Sequence, residues 1–191
     1  MSKTNKKTPG RPRSVKSHQA IIKATLELLG EVGFQAMSIE AISTRARVGK
    51  TTIYRRYDSK EELVADAIES IRQDVIIPDT GNLYSDLDEL VEKAAQITLS
   101  PIGRQTVAMI ISSAAGNSQF AQIYWKKYLQ PRREAFAIVI ERAKTRNEIA
   151  DNIDSGLIFD SMSGIMLYAL IFSPKTESWI EYVRRALRLL F

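Results

Sequence analysis

The stretch that decides the fold runs from Met37 to Leu63 and reads MSIEAISTRARVGKTTIYRRYDSKEEL. Ser38 precedes a short segment through Ala46 with helical apolar spacing, and serine is a favoured helix N-cap. Arg47-Val48-Gly49 interrupts that segment, and a second short helical pattern then runs from Lys50 to Tyr57. Two short helices that are joined by a tight turn describe a helix-turn-helix module.

The second short helix has two different sides when its residues are placed about 100° apart. Ile53 and Tyr57 share one side, which predicts that both are buried. The other positions lie opposite, on the flanks or at the N-terminal end: Lys50, Thr51, Thr52, Tyr54, Arg55 and Arg56. They offer donors and methyl groups suited to base edges and phosphates, and no acidic group. An ordinary amphipathic helix with a solvated basic face is the alternative interpretation.

Helical patterns continue on both sides of the module. Apolar residues recur at three- and four-residue spacing from Val15 to Val32, and Gly33 ends that run. Ser59 with Glu62 matches a capping box, which predicts a helix from Lys60 to about Val75. Further helices are predicted at about 83–99, 101–115, 118–146, 154–172 and 177–191, and Pro131 is expected to kink the third of these near Gln130. No segment has convincing strand alternation, so the fold class is all-α with about nine helices.

Charge and punctuation divide the chain into parts. Residues 1–57 contain 12 Lys or Arg and 3 Asp or Glu, whereas residues 58–191 contain 15 and 19. This asymmetry fits a polyanion partner for the basic part or a basic tail that only aids solubility. A Pro/Gly-containing stretch around Pro78 marks a junction. We therefore expect a basic flexible arm (1–14), a helix-turn-helix domain with its connecting helix (15–75) and a C-terminal helical domain (76–191).

Composition excludes several classes of function. The chain has no cysteine and one histidine, His18, which argues against thiolate or multi-histidine metal sites and Ser-His-Asp triads. Carboxylate chemistry stays open. No stretch approaches the roughly 18 apolar residues of a membrane span, and no apolar region follows the basic N-terminus. We expect a cytoplasmic protein that has no metal, cofactor or membrane partner.

The Met37–Leu63 segment resembles the DNA-binding signature of the tetracycline-repressor (TetR-like) family of transcription regulators. The matching residues, in order and spacing, are Ser38, Ile42, Ser43, Ala46, Val48, Thr52, Ile53, Tyr54, Tyr57, Ser59, Lys60, Glu61, Glu62 and Leu63, with Phe34 upstream. The resemblance covers about residues 15–65. Arg47 stands where the family usually has glycine; a left-handed conformation there costs a non-glycine residue about 1 kcal/mol. Gly49 is the other residue able to take up the turn.

The resemblance implies roles for individual residues on a double-stranded DNA operator. Lys50, Thr51, Thr52 and Arg55 would face the major groove, with Arg55 or Lys50 reading guanine. The remaining candidates contact phosphates: Ser38, Arg47, Tyr54, Arg56 and Lys60. Gly10-Arg11-Pro12-Arg13 also resembles the core of an AT-hook, which predicts that Arg11 and Arg13 enter the minor groove. A non-specific electrostatic arm is the alternative for that segment.

For the C-terminal domain the resemblance implies a homodimer interface and a ligand pocket. The 154–172 helix is apolar on more than one side, so it is either shared with a partner or central to a monomer core. The predicted interface residues are Leu157, Ser161, Gly164, Ile165, Trp179, Val183 and Leu187. The predicted pocket for an unidentified apolar or amphipathic small molecule is lined by Met109, Phe120, Trp125, Tyr128, Phe136, Met162 and Met166, unless these residues simply fill the core.

Together these features predict a dimeric DNA-binding transcriptional regulator. The expected activity is that of a repressor, released from a near-palindromic operator by a small-molecule inducer bound in the C-terminal bundle. One alternative is a DNA-binding regulator without a small-molecule effector, controlled by a partner or acting architecturally. The other is a helical-bundle enzyme with carboxylate chemistry, against which the lack of cysteine, of further histidines and of a Gly-rich phosphate loop argues.

Overall fold

The computed structural model describes residues 12–71 and 77–191. The chain divides into two compact units between Ile71 and Arg72. Every regular element in the described residues is helical, which confirms the all-α class. No helix in these two ranges combines the length and the apolarity that a bilayer crossing needs.

Within residues 12–71, the N-terminal unit contains four helices. They are α1 (Pro12–Ala36), α2 (Ile39–Ala46), α3 (Lys50–Tyr54) and α4 (Lys60–Glu69). α1 packs against both α2 and α4. The buried apolar side chains come from all four helices and include Ile21, Leu28, Leu29, Phe34, Ile42, Ile53, Leu63, Val64 and Ile68. This core holds the short α3 in place, because five residues are too few for a helix that is stable by itself.

The first helix begins and ends differently from the prediction. α1 starts at Pro12, so residues 12–14 of the predicted arm belong to this helix, and the flexible arm itself stays a prediction. Proline suits a first helical turn because its φ is fixed and its missing N–H has no partner there. Gly33 has φ 74° and ψ 171° and interrupts the helical backbone, but hydrogen bonding resumes and α1 reaches Ala36. Residues 1–11 of the arm lie outside the described part.

The C-terminal unit contains the remaining helices. They are α5 (Leu83–Thr98), α6 (Pro101–Gly116), α7 (Ser118–Tyr124), α8 (Gln130–Thr145), α9 (Ser155–Ile171) and α10 (Trp179–Leu187). One apolar core joins α5, α8, α9 and α10, with Val91, Phe136, Val139, Ile140 and Val183 among its members. Ser100 and Asp154 cap α6 and α9. Ser178 caps α10 and forms a reciprocal capping box with Glu181.

The helix predicted over 118–146 is divided in two. A π-helix, Trp125–Leu129, lies between α7 and α8, and Pro131 is in the first turn of α8. Proline lacks an N–H and crowds the preceding turn, so a regular α-helix cannot continue unchanged through it. The wider π-turn accommodates this irregularity. The break predicted near Gln130 is therefore observed as a change of helix type.

The start of the C-terminal unit is fixed to the residues at the end of α8 by one buried and two partly buried charged groups. Asp86 is fully buried, and its Oδ1 accepts hydrogen bonds of 2.7 Å from both the backbone N–H and the hydroxyl of Thr80. Glu148 accepts from the Leu83 N–H at 2.6 Å and from Arg146 Nε at 2.8 Å. The bonds to Oδ1 of Asp86 replace part of the hydration that burial removes, while its Oδ2 has no hydrogen bond in the described residues and lies 3.8 Å from Nη2 of Arg146. These bonds therefore hold the described part of the Pro/Gly-containing junction in a fixed conformation before α5.

Candidate nucleic-acid interface

The turn between α2 and α3 is formed by Arg47. Arg47 has φ 54° and ψ 44°, whereas Gly49 has φ −71° and is the N-cap of α3. The left-handed conformation therefore falls on the residue that replaces the family's usual glycine, at a cost of about 1 kcal/mol. The N–H of Arg47 donates to Thr44 O at 3.2 Å, and the N–H of Val48 donates to Ser43 O at 3.0 Å. These bonds and the surrounding core maintain the strained residue.

The inner side of α3 is anchored by the two residues that the sequence placed there. Ile53 is fully buried and Tyr57 is nearly so. The hydroxyl of Tyr57 lies 3.3 Å from Nδ1 of His18 on α1. Burial raises the pKa of Tyr57 to about 12, and the charge of Asp66 adds to this effect. Tyr57 is therefore a protonated core residue that fixes the end of the α3 segment against α1.

The outer side of α3 is accessible. Lys50, Thr51, Tyr54 and Arg55 are exposed, whereas Thr52 and Arg56 are half-buried. α3 ends at Tyr54, three residues before the predicted end. The N–H of Arg55 still donates to Thr51 O at 3.1 Å, so the helical path continues past the last helical residue. Arg55 therefore extends from the same surface as Thr51.

Two exposed cations near this surface have no polar partner in the part of the chain that the structure describes. Within residues 12–71, the side chains of Arg47 and Arg55 form no hydrogen bond and no ion pair. An arginine without an internal partner loses no existing bond when it binds a phosphate or a guanine edge. The turn and the end of α3 thus each provide one available guanidinium.

Acidic partners of the interface come from other helices, and sequence reasoning missed them. Glu40 Oε1 on α2 lies 3.1 Å from Lys50 Nζ. Glu31 Oε1 on α1 lies 2.6 Å from Arg45 Nη1, and this bond lowers the pKa of Glu31. The lack of acidic residues holds for α3 itself, but α2 supplies one beside it. No local pattern indicates these pairs, because each depends on how two helices pack.

Lys60 has a structural role in addition to its predicted one. Its Nζ donates to Phe34 O at 2.9 Å and to Met37 O at 3.1 Å, and it lies 4.5 Å from the centre of the Phe34 ring. These contacts connect the start of α4 to the turn between α1 and α2. The phosphate contact of Lys60 stays a prediction, as do those of Ser38 and Tyr54. Ser38 Oγ caps α2 by accepting from Ala41 N–H at 3.1 Å.

The predicted minor-groove residues lie at the edge of the described part. Arg11 lies outside it. Arg13 is in the first turn of α1, and its side chain is also outside it. The minor-groove role of the arm stays a prediction.

The predicted interface residues in α9 and α10 separate into two groups. Leu157 and Gly164 are exposed, and Ser161 and Ile165 are partly so. By contrast, Trp179, Val183 and Leu187 are buried in the core of the protomer itself. α10 directs its apolar side toward the core shared by α5, α8 and α9, and the interface role of these three residues stays a prediction. The large apolar side chains that α9 exposes also include Tyr168, Ile171 and Phe172, which the sequence reasoning did not single out.

The predicted pocket residues also occupy different environments. Phe136 and Met162 are buried in the core of the bundle, and Met166 packs against it. Phe120 is buried and stacks on Tyr124, which contacts Tyr128 at a centroid distance of 5.4 Å. Trp125 is exposed and Met109 is partly buried. An open groove of about 530 Å³ along α8, lined by Asp79, Ile138 and Arg142 among others, contains none of the predicted pocket residues.

Comparisons with known proteins agree with this geometry. Residues 21–67 match the model for bacterial regulatory proteins of the tetR family, and residues 77–190 match the tetracyclin repressor-like C-terminal domain. An uncharacterised HTH-type transcriptional regulator of Bacillus subtilis, YdeS, is 30% identical over 86% of this chain and 83% of its own length.

Solved structures share the fold. The flavonoid-responsive regulator FrrA has a TM-score of 0.69 at 20% identity, over 92% of this chain and 95% of its own. FadR of Thermus thermophilus, a TetR-family transcriptional repressor in complex with lauroyl-CoA, has a TM-score of 0.63 at 19% identity. The match covers 91% of this chain and 92% of the FadR chain.

Proposed function

The chain belongs to the tetR family of bacterial regulatory proteins, which are DNA-binding transcriptional regulators and not enzymes, and we propose that it acts as a ligand-responsive homodimeric repressor. The observation that carries the proposal is the outer side of α3. It is exposed and cationic, and it is mounted on a buried Ile53 and Tyr57. A helix of this kind fits the major groove of double-stranded DNA, where its side chains meet base edges.

The proposed contacts divide by chemistry. Arg55 donates two hydrogen bonds to O6 and N7 of a guanine, while Thr51 and Thr52 contact neighbouring bases. Arg47, Tyr54 and Ser38 contact phosphates and fix the orientation of the helix. The guanidinium groups of Arg47 and Arg55 support this division, since neither has to leave a partner among residues 12–71.

Dimerisation through α9 is supported by the apolar surface that α9 leaves uncovered. Leu157, Tyr168, Ile171 and Phe172 are 56% to 66% exposed in the protomer. Exposed apolar clusters of this kind on a helix mark interaction surfaces. Gly164 lies among them, and a Cβ at that position would meet no other atom within 4 Å, so a partner helix has room to approach. The proposed operator is a near-palindrome with recognition helices about one DNA turn apart.

A ligand site in the C-terminal unit is supported by an unpaired polar group in α6. Ser113 is almost fully buried, and its Oγ has no hydrogen-bond partner in the described part of the chain. Farther along the chain, Phe120 stacks on Tyr124, and Tyr124 contacts Tyr128 within the π-helix Trp125–Leu129. π-Turns are frequent at functional sites. We propose an apolar or amphipathic inducer with a polar group for Ser113.

Release follows from differential affinity. An inducer shifts DNA binding only if it binds more tightly to the conformation whose recognition helices do not fit the operator. Along the chain, α4 and the residues after it connect the helix-turn-helix module to the C-terminal unit. We therefore propose that this segment transmits the conformational change that the inducer stabilises. In a regulator without an effector, no small molecule would change the affinity for the operator.

Selection of bound fragments from random double-stranded DNA tests the proposal. We expect recovery of a near-palindromic sequence bound by two protomers, with affinity that falls steeply as salt rises. Candidate inducers are then titrated into the complex, and one class is expected to lower operator affinity. Recovery of no preferred sequence would refute the DNA-reading role, and an affinity unmoved by any ligand would favour the effector-free alternative.

Arg55→Ala is expected to weaken operator binding by about 1–3 kcal/mol per contacted half-site and to relax one base preference. The reason is the loss of a two-bond contact to one base, with no internal contact of Arg55 to lose. Affinities for the operator and for single-base variants, measured at one salt concentration, check this result.

Lys60→Ala is the comparison. Because Lys60 holds the turn between α1 and α2 and contacts no base in this proposal, its loss should weaken binding to all sequences alike. If Arg55→Ala also lowered affinity for every sequence by the same factor, Arg55 would be a phosphate contact.

A further inference from the structure

The proposed DNA surface includes one ion pair between two helices. Lys50 is the first residue of α3, and its Nζ lies 3.1 Å from the carboxylate of Glu40 in the first turn of α2. The two side chains are 51% and 73% exposed, so the pair is in solvent and not part of the core. An exposed pair contributes little to stability, which leaves its effect on a bound partner as the feature to explain.

Lys50 differs in this respect from the arginines beside it. Within residues 12–71, Arg47 and Arg55 have exposed side chains without an internal partner, whereas Lys50 has Glu40. A lysine side chain is flexible, and its compact charge binds any phosphate in reach. An unrestrained Lys50 would therefore add affinity for every DNA sequence.

We propose that Glu40 is a specificity-determining residue that acts by holding Lys50; the inference rests on the proposed DNA contacts of α3. The carboxylate occupies one of the three donors of the ammonium group and leaves two for acceptors on a base edge. It also restrains the lysine at the N-terminal end of α3, away from the flanking phosphates. Lys50 then reads one position of the operator and contributes little to binding elsewhere.

A purely structural role for Glu40 predicts something different. An acidic residue in the first turn of a helix interacts favourably with the helix dipole. If that were its whole contribution, removing the charge would lower thermal stability and leave the salt dependence of DNA binding unchanged. The two roles are therefore separable by measurement.

The experiment compares Glu40→Gln with Glu27→Gln in the full chain. Glu27 pairs with Lys23 on α1 at 3.9 Å, so both variants remove one exposed, paired carboxylate from the same unit. Dissociation constants are measured for the operator recovered by selection and for an unrelated duplex of equal length, from about 50 to about 200 mM salt. Thermal unfolding of each variant shows whether the fold is retained.

For Glu40→Gln we expect tighter binding to the unrelated duplex, by about eightfold at about 0.1 M salt, and a salt slope that is steeper by about 0.9, because Lys50 gains one phosphate. Operator affinity should change much less, so the ratio of operator affinity to unrelated-duplex affinity falls. Glu27→Gln should change binding to both duplexes equally and weakly. In a Lys50→Met background, Glu40→Gln should no longer steepen the salt slope.

Three results would overturn the inference. Equal changes for operator and unrelated DNA, the same behaviour in both glutamine variants, or a steeper slope that persists without Lys50 would each show that Glu40 does not act through Lys50. If the parent chain recovers no preferred sequence, the proposed function itself fails, and that result is visible before any variant is made.

Discussion

Replacing Tyr168 and Phe172 by glutamate should convert the proposed dimer into a monomer and weaken operator binding by about 10²–10⁴-fold, because the second half-site would no longer be bound intramolecularly. The two rings lie 5.1 Å apart at the exposed end of α9 and are 56% and 66% exposed. Charges placed there would be buried unpaired in the interface. Sedimentation gives the oligomeric state, and binding to full and half operators gives the loss.

The control for this prediction is Ile138→Glu. Ile138 is also an exposed apolar residue, but it lies on α8 beside the open groove. This change should leave both the dimer and operator binding intact. A double glutamate variant of α9 that remains dimeric would place the interface elsewhere, and retained operator affinity in a confirmed monomer would contradict the two-half-site proposal.

The second large effect is expected for Ile53→Ala, which should lower the free energy of unfolding of the N-terminal unit by about 2–5 kcal/mol. Ile53 is fully buried, and it anchors a helix of only five residues. Removing its side chain leaves a cavity under α3 and frees that helix to move. Chemical denaturation monitored by circular dichroism measures the stability, and operator binding should fall for all sequences together.

Two comparisons make this result specific. Val32→Ala removes a half-exposed aliphatic side chain from α1 and should change stability by no more than about 0.5 kcal/mol. Ile53→Val should retain most of the stability and binding, at a cost of about 0.5–1.5 kcal/mol. If Ile53→Ala left stability unchanged, α3 would not be held by the core as the structure describes.

Many features of the helix-turn-helix module were predictable because they depend on residues that are close together in sequence. Ser38 and Ser59 cap α2 and α4 through their hydroxyl groups, as their positions predict. The reciprocal bond at Ser59 differs by one residue, since Glu62 accepts from the N–H of Asp58. Helical spacing also identified Ile53 and Tyr57 as buried. Caps and periodicity act within a few residues, so the sequence contains the information directly.

The ionic contacts of the interface were not predictable from the same patterns. Glu40 and Lys50 are ten residues apart in sequence and on different helices, and Lys60 contacts carbonyl groups of Phe34 and Met37. Each contact depends on the crossing of two packed helices. The family resemblance implied a phosphate contact for Lys60, whereas its position against the Phe34 ring gives it internal partners.

By itself, the sequence determined the helical class, the helix-turn-helix module and its caps, because local hydrogen bonding and apolar spacing govern these features. The structure then showed that Arg47, and not Gly49, takes the left-handed conformation in the turn. Only the tertiary structure decided which apolar surfaces of α9 and α10 are used internally. Trp179, Val183 and Leu187 fill the protomer core, while Tyr168, Ile171 and Phe172 stay exposed. The physical reason is that hydrophobic burial is non-directional, so an apolar helix does not specify its neighbour until the other helices are in place.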